Sequence, residues 1–105
     1  MNKDPSIVKL VADLRSVLGA TAFEILDNWD ADLCAIGLFA SRDLNRVVYV
    51  SSFGKAEGFF NCDCIIDYLD VERSEVADHR DDCSLEDVIE LVRKHLNGAS
   101  QPKSS

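Results

Sequence analysis

Apolar residues recur at Ile7, Val8, Leu10, Val11, Leu14, Val17 and Leu18, a spacing that keeps them on one side of a helix. Lys9, Asp13, Arg15 and Ser16 fall largely on the other side. Asp4 can accept from the open backbone N–H groups of the first turn, Pro5 suits that turn, and Gly19 suits the stop. A second helical stripe runs through Leu85, Val88, Ile89, Val92 and Leu96. Ser84 precedes it with Asp87 three residues on, the spacing of a capping box. Glu86 and Asp87 lie in its first turn, Arg93, Lys94 and His95 in its last, and Gly98 closes it, so each charge suits the helix dipole.

Between the helices the period shortens. Leu33–Phe39 is apolar throughout, as a strand buried on both faces would be, and Val47–Phe53 is rich in β-branched and aromatic residues. The polar stretch 41–46 joins them as a hairpin. From Phe59 to Tyr68 the pattern alternates: Phe60, Cys62, Cys64, Ile66 and Tyr68 make one face, with Asn61, Asp63 and Asp67 on the other. Phe23–Asp27 fits either a short strand or a trailing helical turn, and Asn28–Asp32 reads as a turn. Residues 70–83 carry charge without apolar periodicity and read as a loop. The expected fold is α+β: a two-layer sandwich with an antiparallel sheet of three to four strands and a helix from each end of the chain on one face. Residues 1–98 form the single domain, and the polar residues 99–105 form a flexible tail.

The chain has 105 residues, 47% of them hydrophobic, which is enough for a core and too short for a barrel enzyme or a doubly wound nucleotide-binding fold. Its net charge is −8. Phosphate-tracking proteins need a basic face, so no nucleic-acid partner is expected. No apolar run reaches the length of a membrane span, and none follows a basic start as a leader would, which predicts a cytoplasmic protein with no membrane partner. Residues 62–90 hold eleven acidic side chains against Arg73 and Arg80, a local charge of −9. Such a surface speeds association with a basic protein and rejects acidic ones; the plain alternative is a solvated loop.

Catalytic and metal chemistry find less support. Cys62-x-Cys64 with His79 and Cys83 offers ligand types that zinc favours, but not finger or ribbon spacing. Both cysteines fall on the apolar face of their strand, where a thiol acts as a small hydrophobe, so reduced, metal-free cysteines are expected. His79 in a charged loop and His95 at a helix end leave no nucleophile, base and orienter together. Gly54-Lys55 lacks the rest of a phosphate loop. No cofactor is expected. Asp27, Asp30 and Asp32 surround Trp29, which suits either a turn or an aromatic contact with a partner.

The stretches Leu26–Gly37 and Val48–Lys55, with a final helix ending Arg93–Leu96, resemble a family of small uncharacterised acidic bacterial proteins. Proteins of this kind are similar to the immunity proteins that neutralise bacterial toxins. The resemblance implies a non-catalytic inhibitor of a protein partner; the charge itself points to a basic partner met through Asp70, Glu72, Glu75, Asp78, Asp81 and Asp82, with Trp29 as aromatic anchor. The order of elements also resembles frataxin, an iron-binding helper of iron–sulfur assembly, with Leu26–Asp30 similar to that family's acidic stretch after its first helix. That resemblance implies, as the alternative, a metal- or small-ligand-binding helper.

Overall fold

The computed structural model describes residues 3–26, 33–40, 43–70 and 72–97. Helix α1 spans Pro5–Leu18. The Asp4 carboxylate accepts from the Ser6 backbone N–H at 3.0 Å and from its hydroxyl at 2.6 Å. Gly19 ends the helix at φ 105°, its N–H reaching the Arg15 carbonyl at 2.9 Å. The chain then turns so that the Arg15 guanidinium lies 4.7 Å over the Phe23 ring.

Five strands follow: β1 Glu24–Leu26, β2 Ala35–Ala40, β3 Asp43–Ser51, β4 Phe60–Ile66 and β5 Glu75–Cys83. They form one antiparallel meander in the order β1-β2-β3-β4-β5. The fold is α+β, with five strands rather than the expected three to four. The first addition is β1, so the described part of the ambiguous stretch at 23–27 is a strand over Glu24–Leu26. The second is β5, which replaces most of the expected charged loop. β5 lacks apolar alternation because only Cys83 is buried along it, so backbone pairing to β4, not a buried side-chain face, holds it.

Helix α2, Leu85–Val92, begins with the capping box: the Asp87 N–H donates to Ser84 Oγ at 3.3 Å and the Ser84 N–H to the Asp87 carboxylate at 3.1 Å. It continues into a π-helical turn, Arg93–Asn97. Ile7, Leu10 and Leu14 of α1 and Val88, Leu91 and Val92 of α2 join Leu96 in a single core. From the sheet, Ile36, Leu38, Val48, Val50, Cys62 and Cys64 enter the same core. The register explains that choice: Ile36 opposes Val50 and Val50 opposes Cys62, while Leu38 opposes Val48 and Val48 opposes Cys64. Side chains directly opposite share a face, so one set of alternate positions across three strands builds one apolar surface. Each fully buried large aliphatic side chain stabilises by roughly 1.5–3 kcal/mol.

Val8 and Val17 of the expected α1 stripe are exposed, at 40% and 53%, and His95 departs the other way. His95 is only 8% exposed rather than a solvent-facing charge at a helix end. His95 lies four residues after Leu91 and three after Val92, and Leu96 four after Val92, so both continue the core-facing side of the helix. Among the described residues, no helix is long and apolar enough to cross a membrane. The expected tail, 99–105, lies outside the described residues.

Candidate functional site: an acidic edge strand

Strand β5 lies at one edge of the sheet. Its register with β4 slips twice. Phe60 faces Cys83 while Cys62 faces Arg80, and Cys64 faces Asp78 while Ile65 faces Val76. Each slip inserts an extra residue on β5, and Asp82, in the first, adopts φ 55°. Bulges and charge together make an edge that resists pairing with another strand.

Four of the predicted acidic residues, Glu75, Asp78, Asp81 and Asp82, lie on this strand, and Asp70 and Glu72 lie in the turn before it. The turn is built on Asp70. Its side chain accepts from the Glu72 N–H at 3.2 Å, and its carbonyl accepts from Arg73 and Ser74. Asp78 pairs with Arg80 at 3.3 Å and Asp82 with Lys55 at 3.1 Å. Among the described residues, no ion pair engages Asp70, Glu72 or Glu75. The remaining predicted site residue, Trp29, lies outside the described residues, as do Asp27, Asp30 and Asp32.

The register also assembles a group that sequence spacing does not show. Asp63 on β4 stands opposite His79 on β5. Its carboxylate contacts His79 Nδ1, and Asp81 meets Nε2 at 3.1 Å. A carboxylate only accepts, so both ring nitrogens donate and the imidazolium is the favoured form. The hydrogen bond and charge of Asp63, then those of Asp81, raise the His79 pKa above its ordinary value. The alternation of β4 does place Asp63 on the polar face, but only the pairing of the strands brings it to His79.

The cysteines sit in the core. Cys62, Cys64 and Cys83 are buried thiols and Cys34 is half-buried, with no disulfide among them. Burial pushes the Cys64 thiol up to about 11 and raises that of Cys62 further. Among the described residues, no group of three or more His, Cys, Asp or Glu side chains is placed to hold a metal ion. On the core side of β5 a hollow of about 320 Å³ is lined by Arg46, Asp78, Lys94 and His95 over Cys64 and Leu91.

Comparison with protein-family models, with curated proteins and with solved structures gives no match.

Proposed function

We propose that this protein is a non-catalytic binding module whose working surface is the acidic edge strand, and that its partner is a basic protein. The observation that carries this reading is the exposure of Glu75, Asp81 and Asp82 on one strand whose bulged backbone is ill suited to pairing. Side chains rather than main-chain groups are then what the strand presents. Inhibition of a basic toxin, as immunity-type proteins perform, is the specific form this takes, in the cytoplasm. The engagement of both His79 nitrogens by carboxylates argues against a role for this residue as a general base, because an imidazolium held in that way has no lone pair to accept a proton. The fold behind the surface is a two-layer sandwich, both helices lying on the face of Val48, Val50, Cys62 and Cys64. Its support is the single core that these elements share.

The test is a variant with Asp70, Asp78, Asp81 and Asp82 changed to Asn and Glu72 and Glu75 to Gln. Asn tolerates the positive φ of position 82, so the fold is kept. Against the basic protein recovered with the wild type from its native host, the variant associates more slowly and its rate varies less with salt. Equal rates and equal salt dependence would leave β5 as a solvated edge.

A further inference from the structure

Apolar side chains stand bare at the end of the sheet where β3 turns into β4. Phe53 is 74% exposed and Phe59 40%. With Cys34 they line a hollow of about 390 Å³. The connection that carries them is well tied. The Ser52 N–H donates to the Cys34 carbonyl at 2.8 Å, Lys55 N–H to the Ser52 carbonyl at 3.1 Å, and Phe59 N–H to the Ala56 carbonyl at 3.0 Å. The Ser52 hydroxyl meets that of Ser6 at 2.7 Å, which anchors the start of the connection to α1. Gly54 and Gly58 take φ 72° and 86°, so both reversals fall where a side chain would be strained. Phe53 is therefore held in solvent by an ordered loop, and burying it against a partner costs little further ordering.

This apolar end is continuous with the acidic strand. Lys55, in the middle of the connection, reaches Asp82 on β5 at 3.1 Å. The charged residues lining the hollow are Asp4, Glu57 and Lys55, and Asp82 offsets the lysine. Aromatic residues in the centre of an interface supply most of its affinity, while surrounding charge sets rate and specificity.

We propose that Phe53 and Phe59 are the apolar anchor of the acidic surface, and that their occupant is a basic protein segment carrying an apolar side chain among its lysines or arginines. The inference rests on the acidic-surface reading and adds to it the place and chemistry of the anchor. A second copy of this chain fits poorly, since both copies carry a net charge of −8.

The experiment titrates the full chain at low salt with two seven-residue peptides of equal charge. One alternates lysines with two leucines and a phenylalanine; in the other, serines replace those apolar residues. Affinities come from calorimetry, and the contact site from backbone amide shifts. The apolar peptide is expected to bind at least about tenfold more tightly and to shift the Gly54 and Gly58 amides. The double variant Phe53→Ser, Phe59→Ser is expected to lose that preference while keeping the wild-type affinity for the serine peptide. Phe53→Ser alone, at the more exposed position, gives a partial loss and guards against misfolding of the double variant. Equal affinity for the two peptides, or a preference that survives both variants, overturns the anchor and leaves the acidic reading standing. Shifts centred elsewhere, or self-association through this end, overturn it equally. Failure of both peptides to bind the wild type overturns the acidic reading and the anchor together.

Discussion

His95 donates its Nε2–H to the backbone carbonyl of Ile65, 2.9 Å away, and thereby ties the last turn of the chain's second helix to the end of β4. A carbonyl only accepts, so Nε2 carries the proton. Nδ1 then faces Arg46 Nη1 at 3.4 Å, and a guanidinium only donates. These two contacts suit the tautomer that turns its Nδ1 lone pair toward Arg46. Replacing His95 by Ala leaves the Ile65 carbonyl without this donor and opens a cavity beside Leu96. We expect a loss of about 2–4 kcal/mol in denaturant unfolding, with the slope unchanged. A loss below about 0.5 kcal/mol, typical of a surface change, would mean that the helix end is not seated on the sheet.

His79 is the opposite case, exposed and favoured in its charged form. Its folded-state pKa is raised from the ordinary 6.5 by Asp63 and then Asp81. The stability it contributes is therefore fully present below pH 6.5 and is lost as pH rises through the elevated folded value. The melting temperatures of the wild type and His79→Gln are expected to differ most just below pH 6.5 and to converge on the alkaline side. The imidazole proton resonances of His79 should titrate with a midpoint above 6.5. A midpoint at or below that value would mean that the Asp63 contact does not form in solution.

These two histidines show what can and cannot be read from the chain. The capping box of Ser84 and Asp87 was legible because a cap is local, its two hydrogen bonds spanning three residues. The alternation of Phe60, Cys62 and Cys64 was legible because one side of β4 meets the core and the other does not. β5 was not legible: an edge strand without a buried face shows no period, and its pairing partner lies in another segment. The Asp63–His79 contact depends on that same register. The site residues were visible as charge, while their arrangement on a bulged edge came only with the sheet. His95 shares the face of Leu91 and Val92 by spacing, but its charge suits the helix dipole at a solvent-facing end, and only its contact with the Ile65 carbonyl shows it turned to the sheet.

Asp82 occupies a bulge at φ 55°, where a β-branched residue is strongly disfavoured. Asp82→Val is expected to cost about 1–2 kcal/mol, although the side chain is exposed. Asp82→Gly loses the ion pair to Lys55, worth at most about 1 kcal/mol at such a site, but accepts the backbone without strain. The two substitutions remove the same charge, so comparing them in thermal unfolding isolates the backbone contribution. Equal stability of the two variants would show that the bulge relaxes and that the edge is not fixed in this shape.

The cysteines report on the cover over the sheet. Cys62 is 1% exposed and Cys64 3%, both within the core shared with the two helices. With its thiol pushed up to about 11, Cys64 is ionised in only about one molecule in a thousand at pH 8, and the thiolate is the form that reacts. Cys34 is half-buried and lies at the entry to β2, outside that core. Under native conditions, alkylation by iodoacetamide should be confined to Cys34, with Cys62, Cys64 and Cys83 modified only after denaturation. Mass spectrometry of digested protein across a time course distinguishes the sites. Labelling of Cys62 and Cys64 at the rate of Cys34 would mean that α1 and α2 do not cover that face, and the two-layer arrangement would be wrong. Slow labelling that accelerates in parallel with low denaturant would instead measure how often the cover opens, because reaction then requires local unfolding.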